Sequence, residues 1–586
     1  MLRPAPPVPD AGPPDRTRFI LTCSGLLGFA LGALFTDWQV VVETGQALAG
    51  IVRYPADNPF FIYHLKLWSL LNQLSGWLLA AGVSERVLSV LVSGLLGVVS
   101  MQALAIVIYA LSRDAMLAIG APFAIFAGGA TNYGVVYPIS LLGTQHTYGV
   151  IGLSGLVLVA GLVGAGRTRL AGFLLGVAPA VHPSLGVFLG LLLGLAALPD
   201  LRATWAACRA GLRPFLIGCG VTIASLIVQR IYMRGLPEIA PAEATRYLNA
   251  FVGFWDAHRG PVDFGRMGIA INVAVAGVAW LWLRRSRTFT VLERFLLRFV
   301  IISGALSLGL AFLSHLPPSS IPPAVLVLMP SRLLNVCVFV GPAVLLGLAG
   351  RTKSAVTQAI VLALLVAILL SIRSELWRLL APEGSRVIAK LGLATFIVAA
   401  IVAMATVWFT ARRKGLGVVH AATTAVLAAS VGLSFMLAIE RVRAQRDWLL
   451  KDWTNERMFG FAAREPGYLL TGGDLHLIQL RSRRPVLLDG GGLDALPYTL
   501  EAGPETNRIL KDIYGVDLFA PPEDARGTGA VPLQTNQRIW EAYSLSRWKE
   551  IASTYGVTQV MTPGEWHLQL PIVAAGQGAV LYSIPK

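Results

Sequence analysis

Long apolar runs dominate this sequence and recur along most of its length. Hydrophobic residues make up 55% of the 586 positions and charged residues only 14%, a balance outside the usual range of soluble globular proteins. A helix needs ~20 apolar residues to cross a bilayer, and many runs reach that length, whereas the short alternating strands of a membrane β-barrel are not seen. The sequence therefore predicts a polytopic α-helical membrane protein.

The apolar runs also predict where the chain crosses the membrane. One run is interrupted by "GVAPAVHPSLG", residues 176–186, in which Pro179 and Pro183 each remove a helical hydrogen bond. Broken helices at membrane depth occur where they are buried in protein or line a cavity, so we expect two short helices that meet at an outer tip. With this hairpin the chain makes about 13 helical passes. The spans lie near residues 18–36, 87–111, 114–130, 147–166, 170–197, 214–231, 267–283, 291–314, 324–349, 355–372, 390–410 and 416–439.

Basic residues in the short loops predict the orientation. Arg and Lys cluster in several loops between these spans, and such clusters stay on the cytoplasmic side. The amino terminus is then cytoplasmic, while the carboxyl-terminal tail and three long loops, residues 37–86, 232–266 and 373–390, lie outside. Long loops in compact architectures are often functional, so we expect function on that outer side. The predicted parts are a cytoplasmic tail (1–17), a transmembrane domain (18–440) and an extracytoplasmic domain (441–586).

Charge, cysteine content and the amino terminus argue against several other classes. The formal net charge of +16 is spread between the apolar runs, which indicates topology signals and not nucleic-acid binding. The four cysteines all lie in or beside apolar segments, so no disulfide framework or metal knuckle is visible. Residues 1–17 lead into an apolar stretch without a cleavage site, and we interpret that stretch as a membrane anchor.

The polar sequence from about residue 441 onward predicts a small α/β domain. "PVLLDG", "GVTQVMT" and "AVLYSIP" have strand character, and "NQRIWEAYSLSRWKEIASTYG" has helical character up to a carboxyl cap at Gly556. "DGGG", residues 489–492, indicates a turn, because no nucleotide-binding pattern surrounds it that would favour a phosphate loop. Tryptophans of this domain could stack on sugars, although a buried core is the commoner use: Trp453, Trp540, Trp548 and Trp566.

Arg332 is the sharpest candidate for a functional charge. It lies well inside an apolar run, where a guanidinium costs several kcal/mol unless it snorkels, pairs or faces a cavity. An intramembrane charge is therefore a functional hypothesis. Either a bound phosphate or a structural ion pair with Asp37 or Glu43 would satisfy it.

Further candidates lie in the loops and at the hairpin. His258 and Arg259 belong to "GFWDAHRGPVDFGR", where an Arg fork and a histidine donor suit a phosphate and a solvated loop is the alternative. His146 in "GTQHTYG" and His182 in the hairpin are lone histidines, which are more often structural than site-lining. Asp57 in "YPADNP" is a further candidate acid for the site. A role in a turn or a helix cap is the commoner one for an acid in such a motif.

The acids after the first span carry a family resemblance. Asp37 and Glu43 stand in "FTDWQVVVETGQALAGIVRYPADNPFF", and on one helix they would diverge by about 120°, so only one of them faces a given site. A first span, a long outer loop that opens with an acid, many spans with a broken hairpin and an extracytoplasmic domain resemble the GT-C superfamily of membrane glycosyltransferases. "YPADNPF" and "APAVHPSLG" look like its bacterial members.

The resemblance implies an activity. It implies transfer of a sugar from a polyprenyl-phosphate donor to an envelope glycan or lipid acceptor, at the outer face of a bacterial cytoplasmic (inner) membrane. Such transfer proceeds with inversion and needs neither a metal nor another cofactor. Asp37 stands where the superfamily places its loop-one acid, so it is the expected catalytic base, and an interfacial or capping acid is the alternative. The residues expected at the substrate are Glu43, Asp57, His146, His182, His258, Arg259 and Arg332.

Two rival functions fit the same features. A transporter or flippase of lipid-linked glycans would also use a broken helix and buried charges in a cavity. A non-catalytic scaffold of the same architecture would bind partners only. The sequence shows no paired halves with internal symmetry, which alternating access would favour, so the enzyme is the preferred interpretation.

Overall fold

The computed structural model describes residues 15–135, 139–145, 147–256, 258–352, 354–371, 373–375, 416–444, 457–472, 477–489, 492–576 and 578–586. Within these ranges, seven helical stretches are long and apolar enough to cross a membrane: Thr17–Leu34, Glu85–Ser112, Pro183–Tyr232, Met267–Arg285, Val291–Leu313, Pro323–Ala349 and Gly417–Arg443. Shorter apolar helices lie between them. The chain is therefore an integral membrane protein with a mainly helical fold, as predicted. The predicted span at 390–410 falls outside the described residues, and the number of passes stays a prediction.

The helices up to residue 444 carry the membrane part and its long loops. In chain order they are α1 (Thr17–Leu34), α2 (Val40–Leu48), α3 (Pro59–Lys66), α4 (Leu70–Ala80), α5 (Glu85–Ser112), α6 (Ala115–Ala127), α7 (Thr147–Gly164), α8 (Thr168–Val181), α9 (Pro183–Ala197), α10 (Leu201–Cys208), α11 (Leu212–Tyr232), α12 (Pro241–Ala250), α13 (Met267–Arg285), α14 (Val291–Leu313), α15 (Pro323–Leu328), α16 (Val336–Ala349), α17 (Ala355–Leu369) and α18 (Leu416–Ala444).

The predicted hairpin is present and consists of α8 and α9. The two helices meet at His182, whose backbone is extended (φ −148°, ψ 101°), and Pro183 begins the second helix because a helix needs no N–H at its first position. Arg167, before α8, donates to Asp15 before α1. Asp200, after α9, pairs with Arg298 of α14 at 2.7 Å. His182 is therefore the tip of the hairpin.

The run at residues 323–349 differs from the continuous span that the sequence predicts. Helix α15 ends at Leu328, Met329 adopts a left-handed conformation (φ 51°), and a 3₁₀ turn over Pro330–Asn335 precedes α16. Pro330 causes the break, because proline lacks an N–H and disfavours the α conformation of the residue before it. Arg332 consequently lies on a short turn between two helices and not in the middle of a helix.

The carboxyl-terminal part folds around a mixed five-stranded sheet with the order β2-β1-β3-β5-β4. Its strands are β1 (Tyr468–Thr471), β2 (Val486–Asp489), β3 (Val557–Pro563), β4 (Ile572–Gly576) and β5 (Ala579–Ser583), and its helices are α19 (Arg457–Arg464), α20 (Ile478–Ser482), α21 (Gly503–Tyr514), α22 (Leu533–Glu541) and α23 (Leu545–Tyr555).

The predicted strands correspond to β2, β3 and β5. The predicted helical segment is two helices, since Ser544 caps α23 by accepting the N–H of Arg547, and Gly556 ends α23 in the left-handed conformation (φ 71°) as predicted. Trp540, Trp548 and Trp566 are fully buried, so they fill the core, as the commoner alternative predicts. Trp453 lies outside the described residues, as do positions 490 and 491 of the "DGGG" turn.

Two segments between membrane helices pack against this sheet domain. The segment 232–266 contributes Phe251 and Trp255 to the same apolar core as Trp540, and the indole N–H of Trp255 donates to the carbonyl of Leu518 at 2.8 Å. The segment between α1 and α5 contacts the sheet domain through α2 and α3. For example, the amide of Asn58, just before α3, donates to the carbonyl of Leu487 at 3.0 Å. The candidate site lies where these segments, the hairpin tip and the domain meet.

Candidate functional site

Arg332 joins the hairpin tip to the carboxyl-terminal domain. Its Nη1 lies 3.1 Å from Nε2 of His182 and 3.2 Å from Oγ of Ser184, and its Nη2 lies 3.1 Å from the hydroxyl of Tyr498. A guanidinium can only donate, so His182 is neutral and accepts at Nε2. Its Nδ1 lies 3.3 Å from Oγ of Ser184 and 3.4 Å from the backbone N of Leu185. The tip of the hairpin thus orients the guanidinium.

Arg332 donates its hydrogen bonds to three neutral side chains, those of His182, Ser184 and Tyr498. Within the described part of the chain, no carboxylate oxygen lies within the 4.0 Å ion-pair distance of its guanidinium. The alternative ion pair with Asp37 or Glu43 is therefore not formed. A partly buried cation whose hydrogen bonds go to neutral groups is suited to an anionic ligand.

Arg259 lies beside Arg332 but is neutralised. It bonds the carboxylate of Asp256 at 2.6 Å, the carbonyl of Leu326 at 2.8 Å and the hydroxyl of Tyr498 at 3.1 Å, with only 5% of its side chain exposed. Three of its nitrogens are thus occupied by protein. Arg259 holds the Tyr498 hydroxyl in place, and Arg332 shares that same oxygen.

His258 connects the long loop to the carboxyl-terminal domain. Its Nε2 lies 3.3 Å from Oδ2 of Asp494, on the 3₁₀ turn Leu493–Tyr498 that also carries Tyr498. The bond to Asp494 raises the pKa of His258, although burial opposes the rise. The loop is therefore bonded to the same turn of the domain that supplies Tyr498 to Arg332.

Tyr63 of α3 links this region to α2. Loss of water around the hydroxyl raises its pKa well above the ordinary value, nearby Tyr498, Glu43 and Asp494 raise it further, and Arg332 lowers it. Tyr63 is thus within electrostatic reach of Glu43, in the first turn of α2, and of Arg332.

Asp37 occupies a separate position in the bend between α1 and α2. Its carboxylate pairs with Arg441 of α18 at 3.1 Å and accepts the N–H of Trp38 at 2.9 Å. Burial raises the pKa of Asp37, and the positive charge of Arg441 opposes that rise. Asp37 is therefore a partly buried, ion-paired acid whose partner is Arg441 and not Arg332.

Asp57 does not join this cluster. Asp57 is exposed in the turn before α3, where the capping role falls to its neighbour Asn58, whose side chain accepts the N–H of Phe61 at 3.0 Å. His146 lies outside the described residues. Among the residues that are described, no group of three or more His, Cys, Asp or Glu side chains is placed to hold a metal ion.

Ser184, Asp256, Asp494, Tyr498 and Tyr63 are site residues that the sequence analysis missed. Ser184 follows His182 within the hairpin motif and Asp256 precedes His258 in the loop, so proximity in sequence was a usable signal for these two. Tyr498 and Asp494 stand in "LDALPYTL", which matches no chemical motif.

Comparison with known proteins adds a structural likeness to a solved membrane protein. The sequence matches no family model and no curated protein. The structure is similar to that of ArnT from Cupriavidus metallidurans, solved bound to undecaprenyl phosphate, with 13% sequence identity, a TM-score of 0.47, and coverage of 97% of this chain and 98% of that chain.

Proposed function

We propose that the protein is a membrane glycosyltransferase that moves a sugar from a polyprenyl-phosphate donor to a glycan or lipid acceptor of the cell envelope. The observation that carries the proposal is Arg332, a cation at a break between two membrane helices. Among the described residues its hydrogen-bond partners are His182, Ser184 and Tyr498, and all three are neutral. A lipid phosphate at the end of membrane helices would supply the negative charge that balances this guanidinium.

The same guanidinium suits the chemistry of the transfer. When the bond between sugar and phosphate breaks, negative charge grows on the departing phosphate, and a fixed donor aimed at it stabilises the transition state. His182, Ser184 and Tyr498 hold Arg332 from two sides, so little reorganisation is needed. Arg259 and His258 support this arrangement from the loop.

The acceptor hydroxyl needs one base to take its proton, and inversion at the sugar follows from a single displacement. We propose Asp37 for this role, supported by its place in the resemblance and by its burial, which raises the pKa of the carboxylate against the opposing charge of Arg441. Glu43 is the alternative, supported by its place in the first turn of α2, directly after the bend that carries Asp37. No metal or other cofactor enters the proposed reaction.

The proposed location is the bacterial cytoplasmic membrane, with the amino terminus inside and the site and the carboxyl-terminal domain at the outer face. The Arg and Lys residues of the short loops between the predicted spans support this orientation.

A reconstitution experiment tests the function. Purified protein in liposomes receives a panel of radiolabelled undecaprenyl-phosphate hexoses and pentoses, with extracted envelope lipids and glycans as acceptors. The proposal expects label in the acceptor, lost in Arg332→Ala. Movement of the labelled lipid across the bilayer without a new glycosidic bond would instead support a flippase. Neither transfer nor movement, with lipid bound, would support a scaffold.

A further inference from the structure

We infer that Gln479 is a positioning residue, through which the carboxyl-terminal domain holds α2 in register with the site. The inference rests on the proposed function, because α2 carries Glu43 in its first turn and directly follows the bend with Asp37. It assigns to the domain a part in catalysis that goes beyond covering the site.

The amide of Gln479 uses its full hydrogen-bonding capacity on the segment between α1 and α5. Its Nε2 donates to the backbone carbonyl of Glu43 at 2.9 Å and to Oε1 of Gln46 at 3.4 Å. Its Oε1 accepts from the hydroxyl of Tyr54 at 2.6 Å and lies 2.9 Å from Nε2 of His64. Two donors and two lone pairs are all that a glutamine side chain offers, and every one of these partners lies more than 400 positions away in the sequence.

The surroundings of Gln479 make this contact rigid. The residue is 2% exposed, and the short helix α20 that carries it begins and ends next to non-glycine residues in the left-handed conformation, Leu477 (φ 63°) and Arg483 (φ 52°). This conformation is unfavourable for residues other than glycine and persists only where the surrounding structure fixes it. Arg483 in turn grips Glu85 of α5 with Nε at 2.9 Å and Nη2 at 2.8 Å.

A second bond at the same place reinforces the hold on α2. The amide of Gln46 donates to Glu85 at 3.1 Å and to the carbonyl of Leu480 at 3.2 Å. Thus α2 is hydrogen-bonded to both α5 and α20, and the carbonyl of Glu43 is one of the bonded groups. Loss of Gln479 therefore removes the donor to the carbonyl of Glu43 and loosens the first turn of α2, while the partners of Arg332 stay in place because none of them involves Gln479.

Two variants separate positioning from general structure. Gln479→Ala removes all four bonds, whereas Gln479→Glu keeps the acceptor side toward Tyr54 and His64 but cannot donate to the carbonyl of Glu43. Gln537→Ala is the matched control, since that glutamine belongs to the same domain and donates only to Glu541 within its own helix.

The experiment measures transfer kinetics, undecaprenyl phosphate binding and hydrogen exchange by mass spectrometry in the full-length protein. We expect both Gln479 variants to lower kcat by about 10- to 100-fold, to bind undecaprenyl phosphate as the wild type does, and to exchange faster in residues 40–48 alone. The control should match the wild type in all three. Unchanged kcat and unchanged exchange at 40–48 in Gln479→Ala would overturn this inference alone, as would exchange that rises throughout the domain. A wild type without turnover would overturn the proposed function itself.

Discussion

Nη2 of Arg332 lies 3.1 Å from the hydroxyl of Tyr498, although the two residues are 166 positions apart in the sequence. One belongs to a break between membrane helices and the other to the carboxyl-terminal domain. The orientation of the proposed phosphate-binding cation therefore depends on a domain outside the membrane helices.

Replacing Arg332 by Ala removes the cation that the proposal assigns to the lipid phosphate. Hydrogen bonds to charged groups contribute about 1.5–3 kcal/mol, so affinity for undecaprenyl phosphate should fall about 10- to 100-fold. The affinity of Arg332→Lys should lie between those of the wild type and Arg332→Ala, because lysine keeps the positive charge but lacks the forked pair of donors. Binding in nanodiscs measures both, with Arg508→Ala as control, since Arg508 forms an exposed pair with Glu505. Equal affinity in Arg332→Ala and the wild type would remove Arg332 from the site.

Tyr498→Phe deletes the oxygen that Arg332 and Arg259 share while keeping the ring. Both guanidinium groups then lose an acceptor, and we expect about 10-fold weaker binding of undecaprenyl phosphate. Tyr543→Phe is the matched control, because its hydroxyl donates to the carbonyl of Ile513 within the domain. If the two variants bind alike, Tyr498 does not orient Arg332.

Asp37→Asn and Glu43→Gln decide which acid is the base. Loss of a general base lowers the rate by roughly 100- to 10,000-fold, and the charge-neutral substitutions keep the shape of each side chain. We expect this loss in Asp37→Asn, with undecaprenyl phosphate binding retained. The full loss in Glu43→Gln and a small effect in Asp37→Asn would transfer the role to Glu43, and near-normal turnover in both would exclude a carboxylate base from this segment.

Acid should weaken the contact between α3 and the carboxyl-terminal domain. His64 is 2% exposed, and burial lowers its pKa from 6.5 to about 4. Between pH 6.5 and pH 4 the unfolded chain binds a proton at His64 and the folded chain does not. The contribution of neutral His64 to the free energy of unfolding is therefore complete above pH 6.5 and is lost as the pH falls toward 4. One pKa unit corresponds to about 1.4 kcal/mol, which makes the total loss about 3 kcal/mol.

Thermal unfolding between pH 7 and 5 measures this effect. The Tm of the wild type should fall more steeply with acid than that of His64→Gln, which has no group to protonate there. His567→Gln, at an exposed position of the carboxyl-terminal domain, should behave like the wild type. Parallel Tm curves for the wild type and His64→Gln would contradict the prediction.

Local sequence signals predicted the parts of the fold that local chemistry decides. Pro183 separates the two helices of the hairpin, because proline lacks the N–H that would continue the first helix. Pro179, the other predicted break, lies inside α8. Gly556 ends α23 because glycine tolerates the left-handed conformation. Pro330 had the same predictive value for the break before Arg332, but the apolar run around it made a continuous helix the expectation.

Long-range contacts limited the prediction of the site. Arg332 stood out because a charge in an apolar run is costly wherever it points. Its partner Tyr498, and the pairing of Asp37 with Arg441 across 404 positions, depend on how distant segments pack. No periodicity or spacing encodes such contacts in a single sequence.

A structure with undecaprenyl phosphate added in nanodiscs, determined by cryo-electron microscopy, tests the central claim most directly. The account predicts density for the phosphate within about 3 Å of the guanidinium nitrogens of Arg332, beside His182 and Tyr498. Lipid phosphate density at another place, with the contacts of Arg332 unchanged, would contradict it.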